Sequence, residues 1–213
     1  MSEVQIIPDG VGFILPIPIY TSTRIGSMRG KDGEQFVIVA GLDSDLVAQL
    51  KERSLDETDE EIQHNTSDRQ RFGEGSYEEW YTKDRVPFAL VEKTSGKLAG
   101  LAWFGPKPLG RKSLKHLSEE ERTQDERTMD ADNWHTIVYR SYRPFRGTGL
   151  MKPFVRFCMD TYCSIYPHAN IWAGIYADNP ASHALSEGLG FTVLETASDA
   201  ASHETVMVWY ANK

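Results

Sequence analysis

Three shortages limit what this 213-residue chain can be. Cysteine is the first: only Cys158 and Cys163 occur, both inside one helical pattern. At helical spacing they point about 140° apart around the axis, which argues against a mutual disulfide. Two packing thiols in a reducing compartment are expected, and no metal site. The second shortage is of long apolar runs. FILPIPIY at 13–20 is too short, and too broken by Pro16 and Pro18, to cross a bilayer. The opening MSEVQIIPDG has neither the basic start nor the continuous apolar stretch of a secretory leader. A cytoplasmic protein without a membrane partner is the expectation.

The third shortage is of positive charge. Lys and Arg number 23 against 31 Asp and Glu, a formal charge of −8, which argues against nucleic acid as a partner. The balance is weakly compatible with a cationic substrate, although a net charge locates no site. What is present is an ordinary globular composition. The chain is 40% hydrophobic and 25% charged, enough for one domain with extensions and a core of normal size.

Pattern reading predicts strands over Val4–Ile7 and Val11–Tyr20 around the turn PDG, the second pushed to an edge by its prolines. QFVIVAGL is a strand, and Asp43–Arg53 a helix with Leu46, Val47 and Leu50 on one face. Ser54–Gln70 is charge-dense, an exposed helix or a loop, and SYEEWYTKD is a short helix capped by Ser76. Two strands follow around the turn Thr94–Gly96. Residues 105–133 are a polar insertion, either solvated or a flap over a binding site. WHTIVYRSY is a strand, a helix runs from Leu150 to Ile165, and NIWAGIYA is a strand. NPASHALSEGLG is a helix, and FTVLE and ETVMVWYA close the chain as strands. The order is α+β without internal repeats: an arm over 1–30, then one domain over 31–213 carrying the 105–133 insertion.

The stretch YRPFRGTGLMKPF, residues 142–154, sits between a strand and an amphipathic helix. Helix starts offer unpaired N–H groups and the positive end of the dipole. Gly147 and Gly149 bare the main chain, Arg143 and Arg146 add charge, and Pro153 in the first turn breaks no helical bond. The physical reading is a pyrophosphate cradle. It is not a P-loop, since GTGLMK lacks that pattern, and a dinucleotide fingerprint would need glycine where Lys152 stands. A plain glycine turn remains the local alternative. Gly149 has two readings: helical dihedrals with a phosphate touching the backbone, or a positive φ that any side chain would strain.

These residues resemble the GNAT acyltransferase superfamily, whose signature R/Q-x-x-G-x-G/A opens a helix after a strand. Arg146 and Gly149 match it, Gly147 is typical, and Met151 stands where glycine or alanine is usual. DNPASHALSEGLGF resembles the family's N-x-x-[AS]-x-x-L-Y-x-x-x-G-F through Asn179, Ser182, Leu185, Gly190 and Phe191, with Ser186 in place of tyrosine. The likeness spans about residues 35–210. It implies a mixed, mostly antiparallel sheet flanked by helices, with strands Trp134–Ser141 and Asn170–Ala177 splayed around acetyl-coenzyme A. Tyr139, Arg140 and Ser141 would pair with pantetheine. Arg146, Gly147, Thr148, Gly149, Leu150 and Met151 would hold the pyrophosphate, with Asn179 nearby.

The resemblance implies direct attack by an amine of a small molecule or peptide on the thioester. The usual acid would be at Ser186, whose shorter and less acidic hydroxyl could act only through water. His135, preceded by Asp130 and Asp132, is the candidate base, with packing as its alternative role. Tyr176 and Tyr210 could donate a proton. Trp80, Tyr81, Trp103 and Phe104 either line an acceptor cleft or fill the core. Two other functions stay open: a non-catalytic acyl-coenzyme A-binding regulatory module, kept alive by Ser186 and Met151, and an interaction protein working through 105–133.

Overall fold

A computed structural model describes residues 4–10, 12–107, 109, 134–195 and 204–211. Nine strands hydrogen-bond in the order β1-β2-β3-β4-β5-β6-β7-β9-β8, mostly antiparallel, and with their helices they give the expected α+β class. The chain divides into two compact units, residues 1–103 with 139–160 and residues 104–138 with 161–213.

The first unit is built on an antiparallel meander of β1 Gln5–Pro8, β2 Thr23–Arg29, β3 Gln35–Ala40 and β4 Val86–Glu92. The first part of β5 Leu98–Pro106 and the end of β6 Trp134–Ser141 also belong to it. Phe36, Ile38, Phe88, Leu90, Leu98 and Leu101 are fully buried, each contributing about 1.5–3 kcal/mol by leaving water. Helix α1 Ser44–Leu55 starts where the Asp43 carboxylate accepts from the Leu46 N–H, and it buries Leu46 and Leu50 as predicted. Helix α3 Tyr77–Tyr81 is capped by the Ser76 hydroxyl, also as predicted.

Two expectations change here. Residues 12–19 form no strand, because Pro16 and Pro18 have no N–H to give a ladder. Its place is taken by β2, which pairs with β3 from Thr23↔Ala40 to Arg29↔Gln35. Gly26 and Ser27 weaken its strand propensity, and a bulge between Arg24 and Gly26 breaks the alternation that would have revealed it. The second change concerns Ser54–Gln70. It folds as α2 Glu60–Asn65, followed by a single π-helical turn, Arg69–Gly73. Neither is simply solvated, since Asp59, Asp68 and Phe72 are buried.

The second unit holds the start of β6, β7 Asn170–Tyr176, β8 Thr192–Val193 and β9 Glu204–Trp209. It also holds α5 Pro180–Gly188 and the end of α4 Met151–Ile165. Strand β8 is shorter than FTVLE predicted. Leu109, Trp134, Trp172, Val206 and Val208 pack as one cluster. Neither Cys158 nor Cys163 forms a disulfide, and burial holds the Cys158 thiol well above its usual range. Apart from the end of β5, Lys107 and Leu109, the 105–133 insertion lies outside the described residues. Among the described residues no helix is long and apolar enough to cross a membrane, and no cluster of metal ligands occurs.

Candidate active site

The glycine loop is held at its start within the first unit. The Tyr142 N–H bonds the Ala99 carbonyl on β5, and the Phe145 N–H turns back to Tyr142. The Phe145 ring packs edge-on against Phe36, at 5.7 Å between centroids. After these anchors Gly147, Thr148 and Gly149 are exposed, Leu150 is buried, and α4 starts at Met151. Gly147 has φ +79° and Gly149 φ +83°, so both occupy the left-handed region that disfavours side chains. The positive-φ reading of Gly149 is therefore the one the backbone adopts. A Cβ on Gly147 would meet nothing within 4 Å, leaving open space above the loop. Bare main chain, open space and free first-turn N–H groups fit a diphosphate.

The charge around this loop is arranged differently from the sequence reading. Arg146 turns away from the loop, its Nη1 and Nη2 donating to the buried Asp59 carboxylate at 2.8 and 2.7 Å. Its Nε and Nη2 also donate to the Ser141 carbonyl. Burial works against the Arg146 charge, but the Asp59 and Glu61 carboxylates outweigh it and raise the guanidinium pKa. Arg143 donates to the Thr58 carbonyl. A cation beside the loop is Lys31, whose Nζ lies 3.2 Å from where a Gly149 Cβ would be. Sequence reasoning missed it, because GKDG registered only as a turn. No local pattern ties that turn to a loop far along the chain.

Met151 is accommodated by a second glycine. A Cβ on Gly100 of β5 would fall 2.9 Å from the Met151 sulfur and 3.3 Å from the Arg140 carbonyl oxygen. The methionine side chain thus fills the space over Gly100, away from the exposed main chain of the loop.

Arg140 makes a tight ion pair. Its Nε and Nη2 donate to Asp68 at 2.6 and 3.0 Å, and its Nη1 donates to the Tyr139 carbonyl at 2.8 Å. Asp68 is 0% exposed and takes a third bond, from Arg71 Nη1 at 2.7 Å. Both guanidiniums lie over the Trp103 ring, which also meets Trp80 and Phe72 edge-on. Of the aromatic residues read as cleft or core, Trp80, Trp103 and Phe104 are buried and Tyr81 is half-buried, and charge is placed on the face of Trp103. Nothing in the sequence singled out Asp68, since a lone aspartate in an acidic stretch looks solvated.

In the second unit β6 and β7 run parallel, paired at Trp134↔Asn170, His135↔Ile171 and Thr136↔Trp172. The paired register ends there, while both strands continue. His135 is 7% exposed, and its Nδ1 lies 2.5 Å from the Tyr162 hydroxyl of α4. The Tyr162 ring stacks on Phe104. Ser186 is 0% exposed near the end of α5, where its carbonyl accepts from the Phe191 N–H. The Asn179 side chain caps α5 by accepting from the Ser182 N–H at 3.1 Å.

A nine-stranded, mostly antiparallel sheet with β6 and β7 parallel, and a glycine loop opening the helix after β6, define the fold of the GNAT acetyltransferases. Solved structures agree. The GNAT domain of PAT from S. lividans superposes with TM-score 0.57 at 12% identity, over 86% of this chain and 95% of that one. The ribosomal-protein-S5-alanine acetyltransferase from Vibrio fischeri gives 0.54 at 12% identity, over 83% and 94%. The protein yncA from Salmonella typhimurium, solved with its cofactor acetyl-CoA, gives 0.55 at 17% identity, over 84% and 95%. No protein-family model and no curated protein matches the chain.

Proposed function

We propose that this protein is an N-acetyltransferase that moves an acetyl group from acetyl-coenzyme A to an amine acceptor by direct attack. The observation that carries the reading is the exposed loop with Gly147 and Gly149 at positive φ, immediately before α4. The solved yncA–acetyl-CoA complex, on the same fold, supports the choice of cofactor.

In this reading the main chain of Arg146–Met151 receives the pyrophosphate, and the Lys31 ammonium adds the cation that Arg146 does not provide. Main-chain groups of Tyr139, Arg140 and Ser141 pair with the pantetheine amides. Bound acetyl-coenzyme A supplies an activated thioester carbonyl. His135, hydrogen-bonded to Tyr162, is assigned removal of a proton from the incoming ammonium. Ser186 is assigned proton delivery toward the departing sulfur through water. It is buried and shorter than the tyrosine usual at this position, so modest turnover follows.

Titration calorimetry with acetyl-coenzyme A tests the cradle, and no saturable binding at millimolar cofactor would sink it. Free thiol released on addition of amines tests the transfer. Saturable binding without release for any amine would instead point to the non-catalytic binding module, which the buried Ser186 favours.

A further inference from the structure

The Arg71–Asp68–Arg140 group has one cation too many. Asp68 is buried, and Arg140 engages both of its oxygens. Arg71 shares the oxygen already bonded to Arg140 Nη2, through Nη1 alone. Among the described residues no group accepts from Arg71 Nε or Nη2. Its side chain is 32% exposed, so the residue is within reach of solvent. The titration behaviour agrees with the geometry. Burial pulls the Arg71 pKa down, Asp68 lifts it, and the nearby Arg140 charge lowers it again. For Arg140, Asp68 outweighs burial and the pKa rises. Asp68 is therefore committed to Arg140, and Arg71 remains a partly desolvated guanidinium, 5.5 Å from the centroid of the Trp103 ring and 5.7 Å from that of Phe72.

A fixed guanidinium with two unused donors on an aromatic wall fits a planar carboxylate. It repels a polyamine. The local charge is thus opposite to that of the chain as a whole, which is −8. The position is also suited to an acceptor. Arg140, the partner that fixes Asp68 and hence Arg71, is one of the three β6 residues whose main chain is assigned to pantetheine.

We infer that Arg71 binds the carboxylate of the acyl acceptor, which makes the acceptor an amino acid rather than a polyamine or a simple amine. The inference rests on the acetyl-transfer reading for its role. Its test separates the two.

Thiol release from acetyl-coenzyme A is measured with amino acids, each beside its own carboxamide, and with spermidine. The acids should be preferred over their amides by about 10- to 100-fold in kcat/KM, carried mainly by KM, as loss of a charge-assisted bond implies. Arg71→Met should bring the acid-to-amide preference to near one, and Arg71→Lys should retain part of it. Amides or spermidine turning over as well as the acids would overturn the inference and leave acetyl transfer standing. If no amine releases thiol, the transfer reading falls, and binding decides the carboxylate site. Tryptophan fluorescence is then titrated with N-acetylglycine and with its amide. Saturable binding of the acid alone, lost in Arg71→Met, supports the site; equal response to both, or none, overturns it.

Discussion

The sulfur of Met151 occupies the position that a side chain on Gly100 would take, 2.9 Å from its ideal Cβ. The volume that the methionine needs is thus recovered from a glycine on β5. Gly100→Ala should cost about 1–2 kcal/mol by overpacking. Because the Arg140 carbonyl oxygen also lies 3.3 Å away, part of that cost should persist when Met151 is shortened. Thermal denaturation of Gly100→Ala, Met151→Ala and the double variant should show coupling, with the double less destabilised than the sum. Simple additivity would remove the claimed relationship.

Gly149 is held at φ +83°, so its role is conformational before any ligand arrives. Gly149→Ala should lose about 1 kcal/mol of stability without coenzyme A present. Melting with and without cofactor checks this, and an unchanged melting temperature in its absence would contradict the positive φ.

Lys31 lies beside the loop, whereas Arg146 is held by Asp59. Lys31→Ala should weaken coenzyme A binding by about three- to tenfold at low salt, with a shallower salt dependence than wild type. Calorimetry at two ionic strengths decides it. An affinity equal to wild type at low salt would place Lys31 outside the cradle.

Asp68 pairs with two guanidiniums while 0% exposed, so removing its charge leaves both under-compensated. Asp68→Asn should cost about 3–5 kcal/mol, as breaking one side of a buried ion pair does. Urea denaturation measures it. A loss within experimental error would mean the group is solvated.

Among the described residues the buried hydroxyl of Tyr142 has no hydrogen-bond partner. Burial, with Asp68 nearby, raises its phenol pKa. A phenol whose folded pKa exceeds its unfolded value stabilises the fold fully below about pH 10, and that share fades as pH climbs further. Tyr142→Phe should gain up to about 1 kcal/mol at neutral pH by removing an unsatisfied group, and should flatten the alkaline loss of stability. Stability curves from pH 7 to 11 would reveal a wrong assignment as an unchanged alkaline slope.

The sequence alone determined the elements whose signals are local. Ser76 caps α3, Leu46 and Leu50 mark a buried face of α1, and glycines after a strand mark the loop before α4. Periodicity and capping depend on near neighbours in the chain, so they can be read without the fold. β2 escaped because a bulge and Gly26 disturb the same local periodicity. Tertiary structure decided where charge is spent. Asp59 takes Arg146 from the loop, Lys31 comes to it from a distant turn, and Asp68 leaves Arg71 with donors to spare. A carboxylate in an acidic stretch carries no mark of its distant partner. Its energy is set by burial and by a contact that only folding creates.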